Sequence, residues 1–225
     1  MTTDTKKAHL TYVNGRGLSE SIRIIMAATG IEFQETFLQN KEQFETLRKA
    51  GDLLFMQVPL LEIDGMKLVQ TNAIIRYIAR KYDMYGKTLE EKTRIDMLNE
   101  GARDFLRPFI GVGWVTASTE DDLKKIREKI LPRYLPIFEN EVSRSTSGYL
   151  VGDNISMVDL TLLECLLNCD DYIPGVLDDF PKLKAFQNKV SSLPRIKAFL
   201  DGPQRKGKMT EEYIRHCKTL GMSAN

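Results

Sequence analysis

The sequence predicts a mixed α/β unit followed by an all-helical unit, on three observations. Apolar segments of strand length occur only within residues 8–82, where they alternate with helical patterns. An Asp-Gly pair separates two of these segments and fits a tight hairpin turn. From Lys87 onward, apolar residues recur only at helical spacing. We therefore expect two domains, residues 8–83 and 88–222, joined by a short linker.

The first domain is expected to begin in the order βαβα. Residues 9–13 alternate as a strand does, and a helix is expected to start near Ser19-Glu20 and to stop at Gly30. Residues 32–38 can form a second strand, and a short helix should end near Gly51. These four elements have the layout of one strand–helix–strand crossover with a helix added.

The clearest local signal is a β-hairpin over residues 58–69. Asp64-Gly65 lies between its two apolar strands. Pro59 opens the first of them, where proline is tolerated and where a cis Val58–Pro59 bond would suit the turn. A helix should follow from Gln70-Thr71. Because hairpin strands are antiparallel, the complete βαβαββα order requires a mixed sheet.

The second domain shows helix starts but no strand pattern. Residues 119–122 and 156–159 both have the form of a capping box, with a hydroxyl residue first and a carboxylate three residues later. The helix after Ser156 is almost wholly apolar, which is typical of the centre of a bundle. Two further helices are indicated by apolar residues over 183–190 and 196–200.

Charge and composition exclude several classes of function. The 32 basic and 31 acidic residues leave a net charge of +1, which gives no electrostatic case for nucleic acid, and the basic run at 205–208 reads as a solvated tail. No apolar run approaches about 18 residues, and the N-terminus is polar, so we expect no membrane span and a cytoplasmic location. Cys165, Cys169 and Cys217 read as small buried hydrophobes, and no metal site is expected.

Three segments of the first domain could carry chemistry. Tyr12 ends the first strand beside Gly15-Arg16-Gly17, so its hydroxyl could donate a hydrogen bond to a thiolate; alternatively it is an ordinary strand tyrosine. Gln70-Thr71 begins a helix and could bind an anion; alternatively Thr71 is only an N-cap. The backbone of Val58, beside a proline, is free to bind a peptide as an added strand would.

These motifs and the two-part layout resemble the cytosolic glutathione S-transferases, most closely the alpha class. The resemblance covers nearly the whole chain, and its most specific stretches are residues 12–17, 55–59, 62–71, 149–153 and 156–159. It implies a thioredoxin-like N-terminal domain and an all-helical domain that contributes the electrophile pocket. It also implies a homodimeric enzyme that joins glutathione, its co-substrate, to hydrophobic electrophiles, with peroxidase or isomerase activity as further options.

The resemblance implies a role for individual residues. Tyr12 would stabilise the thiolate of glutathione. Asp104 would reach across the dimer to the γ-glutamyl ammonium group, and Phe55 would insert into the partner. Arg133 of the partner subunit would lie near the glycyl carboxylate. The implied glutathione contacts are Gln57, Val58 and Pro59 for the cysteinyl backbone, Gln70 and Thr71 for the γ-glutamyl carboxylate, and Arg48 for the glycyl carboxylate. The implied electrophile pocket consists of Val13, Phe105, Phe109, Met209, Tyr213 and Cys217, the last three on a terminal helix that covers the site.

Two positions depart from the family pattern, and two other functions stay open. Leu18 stands where alpha-class enzymes usually carry an arginine beside the thiolate, and Asn72 where they commonly carry an interface arginine. The first alternative is a non-catalytic carrier of apolar ligands on the same fold. The second is a thiol-disulfide enzyme, which lacks its essential residue because no cysteine precedes Cys165.

Overall fold

The first part of the chain folds as a four-stranded mixed sheet with three helices. The computed structural model describes residues 7–114 and 118–222. In chain order the elements are β1 (Ala8–Tyr12), α1 (Glu20–Thr29), β2 (Phe33–Phe37), α2 (Lys41–Lys49), β3 (Leu60–Ile63), β4 (Met66–Val69) and α3 (Thr71–Lys81). The strand order is β2-β1-β3-β4, with β1 parallel to β2 and antiparallel to β3. The predicted βαβαββα order and the mixed sheet are confirmed.

Local chemistry explains where these elements begin and end. Gly30 caps α1 in the left-handed conformation, with φ of 75°. The hairpin turn uses Asp64 and Gly65 at φ of 53° and 76°, and pairs Ile63 with Met66. The Val58–Pro59 peptide bond is cis, as the sequence suggested. The hairpin prediction succeeded because the turn is specified by two adjacent residues.

In the second part, all regular elements among the described residues are helices, joined by loops. Its elements are α4 (Leu89–Ile110), α5 (Thr119–Lys125), a π-helical turn (Ile126–Ile130), α6 (Leu131–Ser143), α7 (Met157–Tyr172), α8 (Pro181–Ser191), α9 (Pro194–Leu200) and α10 (Glu211–Thr219). Helix α7 is buried along most of its length, as predicted for a central helix. No helix among the described residues is both long and apolar enough to cross a membrane.

The two predicted capping boxes have different outcomes. At α7, the Asp159 carboxylate accepts hydrogen bonds from the backbone N–H and the hydroxyl of Ser156, each at 2.8 Å. At α5 the predicted start is one residue too late, because Ser118 rather than Thr119 is the N-cap and accepts from the Asp121 N–H at 3.3 Å. The Asp122 carboxylate instead accepts from the Gly113 N–H at 2.9 Å.

Buried polar contacts join the sheet unit to the helical unit. The guanidinium of Arg16 pairs with Asp171 at 2.6 Å and donates to the Lys206 carbonyl at 2.7 Å. The Lys206 N–H donates to Glu20 at 3.2 Å, and its ammonium lies 4.5 Å from the ring centroid of Phe37. The prediction of a solvated basic tail is therefore wrong for this segment, because its backbone and its lysine dock against the first domain.

Candidate active site

A cavity of about 420 Å³ lies between the sheet unit and the helical unit. This volume is in the range of small-molecule sites. It opens at the end of β1, the start of α3, one face of α4 and the segment that leads into α10. Nine of the residues predicted for the site line it: Tyr12, Arg48, Gln57, Val58, Gln70, Thr71, Asp104, Met209 and Tyr213.

Tyr12 holds its phenol at the wall of this cavity. Its side chain is buried, and its hydroxyl oxygen accepts a hydrogen bond from the Leu18 N–H at 3.1 Å. Burial raises the pKa of Tyr12, against the opposing effect of the Leu18 hydrogen bond. The phenol therefore keeps its proton at neutral pH and can donate it to an acceptor in the cavity.

Two glycines make room for the phenol and for Tyr213. A Cβ on Gly17, whose φ is 41°, would lie 2.4 Å from the Tyr12 hydroxyl oxygen. A Cβ on Gly15 would lie 2.2 Å from Cε2 of Tyr213. The hydroxyl of Tyr213 is a hydrogen-bond partner of the Tyr12 hydroxyl and lowers the Tyr12 pKa. The glycines of this turn are thus required by close approach of two aromatic side chains.

The start of α3 forms a second wall and is strained. Gln70, the N-cap, has φ of 70° and no side chain caps the helix there. Thr71 is the first helical residue rather than the N-cap, and its hydroxyl donates to the Leu18 carbonyl at 2.9 Å. This contact ties the helix start, with its positive dipole end, to the turn that holds Tyr12.

A third wall comes from the loop before β3 and from α2. Val58 and Pro59 are buried, whereas Gln57 is exposed. The Arg48 guanidinium donates to Glu45 at 2.8 Å and to the Met56 carbonyl at 3.1 Å. A cation, the loop before the cis-proline and a helix start therefore line the same cavity as Tyr12.

Four of the six residues predicted for the electrophile pocket do not line the cavity: Val13, Phe105, Phe109 and Cys217. Each of them is fully buried. The ring of Phe105 stacks on Tyr134 with centroids 5.3 Å apart and meets Phe109 edge-on at 5.9 Å. These two phenylalanines belong to the core between α4, α6 and α7. Val13 and Cys217 belong to a second core cluster that includes Leu38 and Phe44.

Two residues predicted for subunit contacts lie on the surface. Phe55 is 57% exposed on the loop between α2 and β3. Arg133 is exposed on α6, with its guanidinium 5.0 Å from the ring centroid of Tyr134. Neither of them lines the cavity.

Sequence reasoning missed much of the wall that α4 contributes. Arg103, Arg107 and Ile110 line the cavity from this helix, and Trp114 lines it from the turn that follows. Met222 also lines the cavity. The spacing of three, four and seven residues along α4 is the signal that could have identified this face.

Helix α10 covers the cavity as an ordered element. The Thr210 hydroxyl caps it by accepting from the Tyr213 N–H at 3.2 Å. Its buried face of Ile214 and Cys217 packs inward, and a ring nitrogen of His216 is hydrogen bonded to the Leu38 carbonyl at 3.0 Å. The terminal helix anticipated from sequence is present, but it begins after Met209. Tyr213 lines the cavity from this helix, and Met209 lines it from the segment that precedes the helix.

The described residues contain no cluster of three or more His, Cys, Asp or Glu side chains that could hold a metal. The three cysteines are free and buried, and burial raises the pKa of each thiol. The hydrogen-bond donors that line the cavity include the hydroxyl of Tyr12, the side-chain amides of Gln57 and Gln70, and three arginines.

Comparison with known proteins identifies the family. Residues 8–80 match the glutathione S-transferase N-terminal domain, and residues 103–202 match the C-terminal domain. Glutathione S-transferase A4 of Mus musculus is 43% identical, covering 95% of this chain and 97% of its own. Glutathione S-transferase A1 of Bos taurus is 44% identical, covering 95% and 97%. A monomeric glutathione S-transferase from Necator americanus, known from its crystal structure, is 34% identical in sequence. The match covers 87% of this chain and 97% of that one, with a TM-score of 0.75. The chain belongs to the glutathione S-transferase family, and its curated relatives are of the alpha class.

Proposed function

We propose that this chain conjugates glutathione to hydrophobic electrophiles, with Tyr12 as the residue that keeps the sulfur ionised. The observation that carries this proposal is the protonated phenol at the cavity wall, whose oxygen already accepts from the Leu18 N–H at 3.1 Å. The Tyr213 hydroxyl is a second partner of the same oxygen and lowers the Tyr12 pKa, as a donor does. With both acceptor positions of the oxygen engaged, the remaining role of the Tyr12 hydroxyl is to donate its own proton. A thiolate is the acceptor that a glutathione complex would offer.

Glutathione fits the remaining walls of the cavity by its chemistry. The strained start of α3 at Gln70-Thr71 suits the γ-glutamyl carboxylate. The Val58 backbone and Gln57 suit the cysteinyl portion, and Arg48 suits the glycyl carboxylate. Residues 8–83 would in this way hold glutathione, while residues 88–222 would supply most of the wall for the electrophile.

The energetic demand on Tyr12 is within the reach of one hydrogen bond. A free thiol has a pKa of about 8.5, so only a few per cent is thiolate at neutral pH. Lowering the pKa by about two units takes ~2.7 kcal/mol. A hydrogen bond to a charged acceptor contributes about 1.5–3 kcal/mol. The N-terminus of α1, close to Leu18, adds a few tenths to about 1 kcal/mol.

The reaction then follows from the position of the thiolate. Its sulfur forms a bond to an electrophilic carbon, and the electron pair of the broken bond leaves with the departing group. In an addition, the pair moves to the electrophile, which takes a proton from solvent. A hydroperoxide in the same place would be reduced by attack of the sulfur on its outer oxygen, which breaks the O–O bond and releases an alcohol once the departing oxygen takes a proton. The glutathione sulfenic acid formed in this step would react with the thiol of a second glutathione to give the disulfide and water.

The proposal extends to assembly and location. We expect a cytoplasmic homodimer in which the exposed Phe55 enters the partner subunit and Asp104 approaches the partner's glutathione. The hookworm relative is monomeric, so assembly needs a test of its own. Light scattering at micromolar concentration should give twice the chain mass, and Phe55→Ser should shift it toward the monomer. A wild-type monomer would contradict the dimer without touching the chemistry.

Enzyme and carrier are distinguished by turnover. We expect glutathione-dependent conversion of chlorodinitrobenzene and of cumene hydroperoxide, measured as conjugate absorbance and as glutathione oxidation. A carrier would bind an apolar dye and convert neither. Tyr149→Phe, which removes a phenol outside the cavity, is the matched control for Tyr12→Phe. Equal turnover in Tyr12→Phe and wild type would remove Tyr12 from the mechanism.

A further inference from the structure

The end of the cavity formed by the C-terminal half of α4 carries positive charge that the proposed glutathione contacts do not use. Arg103 and Arg107 lie one turn apart on α4 and both line the cavity. Further along the chain, the apolar residues Ile110 and Trp114 also line the cavity. Met209 and Met222 also line the cavity. This end therefore combines an apolar surface with two guanidinium groups.

The two arginines differ in how far their charge is neutralised. Arg103 donates to the Ser21 hydroxyl at 2.8 Å, and that hydroxyl donates to the buried carboxylate of Glu164. Part of the positive charge of Arg103 is therefore balanced by the Glu164 side chain, through the Ser21 hydroxyl. Arg107 is exposed, and within residues 7–114 and 118–222 no hydrogen bond or ion pair joins its guanidinium to another residue.

The acidic groups of the cavity lie nearer the other end of α4. Glu100 is engaged by Arg76 in an ion pair. Asp104 precedes Arg107 by three residues, about 4.5 Å along the helix axis, on the side away from Trp114. A further cation lies beyond Arg107, since the Lys218 ammonium is 5.9 Å from the Trp114 ring centroid. Around the apolar end, positive charge therefore predominates among the described residues.

We propose that the electrophile site of this transferase accepts substrates that carry a carboxylate, and that Arg107 binds that carboxylate. The inference rests on the proposed transferase function and names its substrate class. An arginine with an unpaired, forked guanidinium matches a carboxylate in two parallel hydrogen bonds. Ile110, Met209 and Trp114 would cover the apolar body of the same molecule, while Tyr12 holds the sulfur that attacks it.

A matched pair of aryl chlorides tests this preference. Chlorodinitrobenzene and chlorodinitrobenzoic acid undergo the same reaction: the thiolate sulfur bonds to the ring carbon that carries chlorine, and chloride leaves with the electron pair. The measured quantity is the ratio of kcat/KM for the acid to that for the neutral compound, divided by the ratio of their uncatalysed rates with glutathione. We expect this normalised ratio to exceed one in the wild type.

Variants of Arg107 assign the effect. Arg107→Met should lower the normalised ratio about tenfold, equivalent to ~1.4 kcal/mol, and Arg107→Lys should retain most of it. Arg215→Met is the control, because Arg215 is an exposed arginine of α10 that does not line the cavity. A ratio that Arg107→Met leaves unchanged would overturn the proposal. So would a selective rise in the KM for glutathione, which would assign Arg107 to glutathione instead.

A binding measurement separates this inference from the transferase function. Trp114 is the only tryptophan of the chain and lines the cavity, so its fluorescence reports occupancy without turnover. Dinitrobenzoate should quench it at lower concentration than dinitrobenzene, and Arg107→Met should remove the difference. That result with no conjugation would reject the transferase and keep the anionic site. Conjugation with equal binding of both ligands would reject the anionic site and keep the transferase.

Discussion

Replacement of Tyr12 by phenylalanine removes one oxygen atom from the proposed site and keeps the ring that packs at the end of β1. The hydroxyl that accepts from Leu18 at 3.1 Å is lost, together with its proton. Loss of a hydrogen bond to a charged acceptor costs about 1.5–3 kcal/mol. Each pKa unit corresponds to about 1.4 kcal/mol, so the pKa of the bound thiol should rise by about one to two units.

The kinetic consequence follows from the fraction of thiolate. At neutral pH the variant should turn over at least tenfold more slowly, while glutathione affinity stays nearly intact because the carboxylate contacts are untouched. The loss should shrink as pH rises through the pKa of the variant's bound thiol, which a pH profile of kcat would show. Tyr149→Phe controls for the removal of a phenol elsewhere. A loss that is independent of pH would mean that Tyr12 acts through structure rather than through ionisation.

Three further changes test neighbouring parts of the site. Leu18→Arg adds a cation at the cavity wall and should lower the pKa of bound glutathione in an ultraviolet thiolate titration; no change or a rise would contradict this. Gly15→Ala places a methyl group 2.2 Å from the Tyr213 ring, so α10 should exchange amide hydrogens faster, whereas Gly207→Ala, with open space around it, should not change exchange. Burial raises the pKa of Glu164 from 4.5 to about 7, so its contribution to stability is present below 4.5 and lost as pH rises through about 7. Glu164→Gln, which still accepts from Ser21, should reduce the fall in the free energy of unfolding between pH 4.5 and about 7 by up to about 3 kcal/mol, as measured by urea titrations. An unchanged pH dependence of the free energy of unfolding would contradict the assignment.

The parts of the fold that were predictable from sequence are those set by neighbouring residues. Asp64-Gly65 specifies its hairpin without help from the rest of the chain, and Ser156 with Asp159 specifies the start of α7. The start of α5 was misplaced by one residue, because Ser118 and Thr119 are both competent caps. A capping box that starts at Thr119 would use the Asp122 carboxylate. In the structure this carboxylate accepts a hydrogen bond from the Gly113 N–H instead, and Ser118 caps the helix.

The electrophile wall was harder to predict, because it depends on which face of a helix meets the core. Phe105 and Arg103 are two residues apart on α4, about 200° around its axis, so only one of them can face the cavity. The aromatic residue packs against Tyr134 and the arginine lines the cavity. Val13 follows Tyr12 in extended chain and therefore points to the opposite side. The family resemblance implied that Val13, Phe105 and Phe109 belong to this wall, but packing places them in the core.

Most of the glutathione contacts that the family resemblance implied line the cavity, whereas most of the implied electrophile contacts do not. From the sequence pattern alone, Gln70 and Thr71 could be an ordinary helix start. Their position beside the turn that holds Tyr12, where the Thr71 hydroxyl donates to the Leu18 carbonyl, distinguishes this helix start from an ordinary one. Arg107, in contrast, has no counterpart in the motifs that carry the resemblance. Its role had to be inferred from its unpaired charge beside Ile110 and Trp114.

The distance between the Tyr12 hydroxyl oxygen and the sulfur of bound glutathione is the measurement that bears most directly on the mechanism. A crystal structure of the complex should place these atoms within about 3.5 Å, with the sulfur on the cavity side of the ring and the Leu18 N–H still bonded to the oxygen. A sulfur beyond reach of the phenol, held instead by another donor, would contradict the assignment of Tyr12.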